Sequence, residues 1–306
     1  MPAPARRPVL KPMRLVGLLA ISLAVAGCVT AGSAASPTGP AGTPAPSASA
    51  PSGSPSPTGG ISTSGFYMRA WQTQALAPQN TFTWLPLATI SGGQYIDGMV
   101  AVPAIYPGPL WIGPSVQTIS AKGIAAIVAE ARSDGLLGQK TDFTGTPMAG
   151  AMTAHIELIV DGTRYDLTGD AAAATTAQTP APGSSAAFAA LWQKLTGLDA
   201  WLSAELGPSS EFEPQSLAVL ALPPAVDTSG LTPSDVVWPL ATPFSAFGTA
   251  MGNVANRCAV VSGTDLTKLE TVVKQANQLT RFVDGAGVKD TLLVRVMVPG
   301  EPNPCQ

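Results

Sequence analysis

The chain of 306 residues holds one histidine, three cysteines and six tryptophans, and these few side chains bound the chemistry open to it. His155 is the single histidine, so a histidine-based triad has one base to build on, and no Gly-x-Ser-x-Gly elbow accompanies it. Alternation places His155 beside Thr153 and Glu157 on the polar face of a strand, where an exposed, non-catalytic imidazole is expected. Zinc takes mainly nitrogen and sulfur donors, which one histidine and an oxidised cysteine pair do not supply. No metal or other cofactor is expected. Among the acids, Asp161, Asp166 and Asp170 cluster around a hairpin, and Glu211 and Glu213 flank Phe212. Glycoside hydrolysis needs two such acids held across a cleft, a separation that spacing along the chain does not fix. Asp161 belongs to a turn, the others read as solvated loop charges, and their spacing matches no calcium loop. No glycine-rich phosphate loop stands between a strand and a helix.

The tryptophans suggest binding. Trp192 falls on the apolar stripe of a helix and belongs to the core. Trp84, Trp111 and Trp238 lie close to prolines or glycines and are the candidate binding-surface aromatics, able to stack on a sugar or anchor a protein partner. Core packing is the competing fate for all three.

Cys28 carries a chemistry of its own. Arg6, Arg7, Lys11 and Arg14 precede an apolar run from Leu15 to Ala26, too short to cross a bilayer comfortably and flanked like a signal peptide. Val25-Ala26-Gly27-Cys28 at its end resembles the lipobox of bacterial lipoproteins. That resemblance implies removal of residues 1–27 and acylation of Cys28, with palmitate among the acyl chains. It further implies an extracytoplasmic protein anchored to the cell membrane through that lipid. Arg6-Arg7-Pro8-Val9-Leu10-Lys11 partly matches the twin-arginine export pattern, with Val9 where an aromatic is preferred. General secretion and twin-arginine export both stay open, as do starts at Met1 and Met13.

Residues 29–64 are almost wholly Ala, Gly, Pro, Ser and Thr, with Val29 and Ile61 the only large apolar residues and no charge. Such a segment cannot bury enough apolar surface to offset its ordering entropy, so residues 28–64 read as a disordered stalk. It would span roughly 35 Å as a coil and about 110 Å as extended polyproline. Its Ser/Thr clusters beside proline suit O-glycosylation. Loss of residues 1–27 removes four basic residues and no acidic one, leaving 12 Lys+Arg against 19 Asp+Glu, a net charge of −7. An acidic chain without a basic run argues against nucleic acid as a partner. With Cys28 assigned to lipid, Cys258 and Cys305 remain as an even pair in an oxidising compartment, and a disulfide is expected.

Residues 65–306 must position whatever chemistry there is. Extended segments are predicted over 66–73, 81–90 and 95–102. A helix follows, capped by Ser120, stapled by Ile119 and striped by Ile124, Ile127, Val128 and Ala131, with Gly135 as its stop. Strands 152–160 and 163–168 flank the Asp161-Gly162 turn. A loop covers 171–183, and a second helix opens at Ser184 or Ser185 and is broken at Gly197. After a strand over 215–222 and a loop-like stretch from 241 to 253 comes a last unit. In it, a strand over 257–261, a cap at Ser262 or Thr264, a helix to about Phe282 and a strand over 291–298 follow in turn. Strand, cap, helix and strand also describe 110–160, which suggests two related halves, 65–210 and 211–306. The expected class is α+β, antiparallel sheet with helices on one face.

The Ala/Gly/Pro richness, the stalk and the late cysteine pair resemble, in general style, uncharacterised secreted proteins of high-GC bacteria. That likeness implies a compartment and no activity. The leading expectation is a non-catalytic envelope lipoprotein that binds a protein or glycan. The alternatives are a hydrolase using paired carboxylates and a protease-inhibitor-like protein with exposed proline-rich loops.

Overall fold

A computed structural model describes residues 65–74, 82–101, 104–145, 152–170, 180–224, 230–251 and 256–306. All of them belong to one compact unit. The signal segment expected over 1–27, Cys28 itself, the stalk expected over 28–64 and residues 171–179 of the expected loop lie outside the described residues.

The class is α+β, built on two sheets. The first joins β1 (Tyr67–Gln74), β2 (Ala88–Ser91), β3 (Gln94–Asp97), β4 (Ser115–Thr118), β5 (Asp142–Phe143), β6 (Met152–Val160), β7 (Thr163–Asp170) and β8 (Ser210–Glu211) in the order β5-β7-β6-β1-β2-β3-β4-β8. The second joins β9 (Ser216–Leu222), β10 (Asp235–Val237), β11 (Thr249–Ala250), β12 (Arg257–Ser262), β13 (Arg281–Val283) and β14 (Lys289–Val296) in the order β10-β13-β14-β9-β12-β11. Both sheets are mixed, because β5 lies parallel to β7 and β10 parallel to β13. All the other pairings are antiparallel.

Helix α1 (Ala121–Ser133) forms where the sequence places a cap: Ser120 Oγ accepts the Gly123 amide at 3.1 Å. Its stripe of Ile124, Ile127, Val128 and Ala131 is buried, and Gly135 ends it with a φ of +66°. Each buried isoleucine contributes about 1.5–3 kcal/mol by leaving water. Helix α2 (Ser185–Thr196) is capped by Ser184, whose Oγ accepts the Ala187 amide, and Gly197 separates it from the short α3 (Leu198–Trp201). These helices share one core with Met68, Ala70, Ile90, Ile156 and Leu158, so they lie on one face of the first sheet.

Helix α4 (Gly263–Val273) covers the second sheet with Leu266, Leu269 and Val273 against Val219, Ala221 and Val294. Ser262 is its N-cap, without a side-chain bond. The helix ends nine residues short of Phe282, which lies in β13. Ala276 keeps the stripe buried after the helix has stopped, which is why the periodicity overran it. Ile96 and Val116 point away from α1 and α2 and join this second core, so the halves meet on the helix-free face of the first sheet.

The two sheets share one device. In each, a helix carries the chain between two parallel strands that lie on opposite sides of the sheet's first strand: β4 and β6 about β1, β12 and β14 about β9. Cys258 and Cys305 lie at bonding distance, 1.97 Å between sulfurs, on the face of the second sheet away from α4 and under Phe82.

Candidate ligand cleft

The helix-free face of the first sheet is set by strand alternation. On β1, Met68 and Ala70 point into the core, leaving Tyr67, Arg69, Trp71 and Thr73 on the other face. On β6, Ala154, Ile156 and Leu158 point inward and leave Thr153, His155 and Glu157. The register sets Arg69 opposite Glu157, Trp71 opposite His155 and Thr73 opposite Thr153.

The pairs so formed are bonded. Arg69 Nη2 donates to Glu157 at 2.9 Å, with both side chains more than nine-tenths buried, and the Arg164 guanidinium reaches the other Glu157 oxygen at 3.2 Å. The Arg69 guanidinium lies 4.2 Å over the Trp71 ring, and His155 stacks on the same indole at 5.0 Å and 12° from parallel. His155 Nε2 lies 2.8 Å from Thr73 Oγ1, and Nδ1 lies 3.4 Å from Thr168 Oγ1. It is therefore half-buried and partnered, not the exposed histidine that alternation alone suggested. Burial lowers its pKa, and the Arg69 charge lowers it further.

The second half closes over this array. Arg295 of β14 pairs with Glu301, and its Nη1 donates to the Phe82 carbonyl at 3.3 Å. Burial raises the Glu301 carboxyl above its ordinary value against the opposing pull of Arg295. Tyr67 Oη donates to the Pro299 carbonyl at 3.2 Å, tying the tail to β1, and burial pushes the Tyr67 phenol up to about 12. Between the halves is left a cleft of about 230 Å³, lined by Arg69, Trp71, Thr73, Trp84, Arg295 and Glu301 among others. Gln72, Trp84 and Leu85 also line an adjoining recess of about 270 Å³ that runs to Gly98 and Met152. A larger hollow of about 420 Å³, walled by Phe212, Val260 and Met297, also reaches Glu301.

The three candidate aromatics part company. Trp84 is half-buried and lines both the cleft and its recess. Trp111 is half-buried under Lys274, whose Nζ lies 4.9 Å from the ring centre, and is not part of the cleft wall. Trp238 is a core residue and not a surface one. It packs at 4.7 Å on Phe244 and edge-on to Phe247 and Phe282, while its Nε1 donates to the Thr242 carbonyl at 2.8 Å. The Trp238-Pro239-Leu240 bend after β10 turns the indole inward, where four aromatic rings bury one another. Trp71 is the cleft aromatic that proline neighbours did not point to; its signal was alternation with Arg69 and Thr73 on the polar face of β1.

The acids noted in the sequence are mostly engaged elsewhere. Asp161 occupies the hairpin turn at a φ of +51° and faces Arg132 at 3.4 Å. Asp166 binds Arg164, Asp170 accepts the Gly145 amide, and Glu211 meets Lys274 at 3.3 Å. None of these four, nor Glu213, lines the cleft. Among the described residues no group of three or more His, Cys, Asp or Glu is placed to hold a metal, and no helix is long and apolar enough to cross a membrane. Comparison of the chain with protein-family models, with curated proteins and with solved structures finds no match in any of the three.

Proposed function

We propose that this chain is a lipid-anchored protein of the bacterial envelope whose folded region binds a glycan in the cleft between its halves. The observation that carries the binding reading is Trp84, an indole that lines both the cleft and its recess beside Gln72. A half-exposed indole flanked by side chains that hydrogen-bond is suited to a sugar ring, which has an apolar face and a polar rim. The recess is small, about 270 Å³, which suits a sugar ring better than the broad face of a protein partner. The lipobox-like Val25-Ala26-Gly27-Cys28 supports the anchor, and the uncharged residues 29–64 support a tether that holds the domain off the membrane.

The hydrolase reading rests on Glu301, a buried acid at the cleft with a raised pKa. It is weakened because Arg295 grips that carboxylate, and Glu157 beneath is held between Arg69 and Arg164.

The test uses the full chain carrying Cys28→Ala. The substitution is expected to release the protein from membranes, and retention there would sink the anchor. The released protein is expected to bind cell-wall glycan strands saturably and without cleaving them, and Trp84→Ala to weaken binding about tenfold or more. Cleaved strands would establish the hydrolase instead, and absence of saturable binding would end the glycan reading.

A further inference from the structure

We infer that the cleft takes a saccharide bearing a carboxylate, with Arg69 and Arg295 as its charge partners and Trp84 as its stacking surface. This deepens the glycan-binding reading and rests on it.

The lining holds two guanidiniums and one carboxylate, Glu301. Glu157, below Arg69, bonds it at 2.9 Å and is also reached by Arg164, which Asp166 in turn holds. Both arginines are deep, their side chains 8% and 11% exposed, and the Nε–H of each has no hydrogen-bond partner. Buried donors are ordinarily satisfied, so two guanidinium nitrogens without a partner beside one cavity leave hydrogen-bonding capacity there, although each guanidinium is itself ion-paired, Arg69 with Glu157 and Arg295 with Glu301.

The rest of the chain makes this local sign informative. From Cys28 onward there are 12 basic and 19 acidic residues, so the chain as a whole is acidic, while the cleft lining holds two arginines to one acid. Arginine is the side chain whose planar fork matches a carboxylate.

The division of labour between the indoles follows from their neighbours. Trp71 is already stacked with His155 and lies under the Arg69 guanidinium, so it orients the cation. Among the described residues no ring or cation covers Trp84, which leaves it to the ligand. A pyranose acid would thus lay its apolar face on Trp84 with its carboxylate turned toward Arg69 and Arg295.

The experiment is calorimetric titration of the full chain carrying Cys28→Ala with tri-galacturonate, with its methyl ester, and with a hexaglutamate peptide. The ester keeps the rings and loses the charge. Tri-galacturonate is expected to bind about tenfold or more tighter than the ester, with affinity falling as salt rises. The peptide is expected not to compete. The double variant Arg295→Met/Glu301→Met replaces the ion pair by apolar side chains of similar length. With an unchanged melting curve, it is expected to lose the preference for the acid and keep ester binding. Equal binding of acid and ester would overturn the carboxylate inference while leaving the glycan reading intact. Failure of both saccharides would overturn the carboxylate inference, while the glycan reading stands or falls on saturable binding of cell-wall strands, and tight binding of the peptide alone would assign the cleft to acidic protein segments instead.

Discussion

Trp71 and His155 lie ring on ring across neighbouring strands, 5.0 Å apart, and the Arg69 guanidinium covers the same indole. The stack gives the chain's only histidine a measurable signature. Burial and the Arg69 charge both lower its pKa, so the folded state resists protonating it. Its unfolded value is about 6.5. The stability it contributes is therefore complete above that pH and is lost as pH falls through the lower folded value. NMR titration is expected to find one imidazole titrating below 6.5, and His155→Gln to remove part of the acid slope in urea melts. An imidazole titrating at or above 6.5 would contradict the stack.

The Arg69–Glu157–Arg164 array predicts an ordered series of losses. Glu157→Gln leaves buried Arg69 without its carboxylate and is expected to cost about 3–5 kcal/mol. Arg164→Met removes a partner that is 58% exposed and is expected to cost less than about 1 kcal/mol. Urea unfolding of the two variants compares them directly. Equal losses would mean that Arg69 is not the principal partner.

Gly169 of β7 lies under the Phe188 ring, where an added Cβ would come within 2.4 Å of the aromatic edge. Phe188 cannot retreat easily, because it is fully buried and stacks on Phe143 at 5.6 Å. Gly169→Ala is expected to cost about 1–3 kcal/mol by overpacking. Phe188→Leu in the same chain should recover part of that loss, and simple additivity of the two substitutions would show that the contact is not the cause.

Cys258 and Cys305 close a loop with a sequence separation of 47. By chain entropy alone, Cys305→Ser is expected to lower stability by about 4 kcal/mol. Urea melts with and without reductant check this, since the variant should be insensitive to reduction. Reductant that left the parent's melt unchanged would remove the cross-link from the account.

Where the sequence carried a full local pattern, the structure could be read from it. The hairpin of β6 and β7 turns at Asp161-Gly162, and Ser120 and Ser184 cap α1 and α2, as their spacing predicts. Edge strands β10 and β11 were not legible, because two or three residues carry no periodicity. The cleft was half legible. Alternation sets Arg69, Trp71 and Thr73 on one face of β1, but Arg295 and Glu301 reach them from more than 200 positions away. No local pattern encodes that meeting. Trp238 failed for a related reason: a proline neighbour shows that the backbone bends, and not the side to which the indole turns.

The crossovers also bear on how the molecule assembles. β1 lies inside its sheet, yet one of its two neighbours, β6, is supplied 88 positions later, as the Arg69–Glu157 pair shows. β9 likewise waits for β14, whose Thr291 lies beside Leu222. Contacts so distant along the chain are slow to form, since the intervening segment loses its freedom before the pairing repays it. Until α1 and α4 have folded back, each sheet has an open hydrogen-bonding edge at its middle, the kind of edge that recruits other chains. The interval between emergence of β1 and arrival of β6 is therefore one in which an unpaired strand edge is open to other chains.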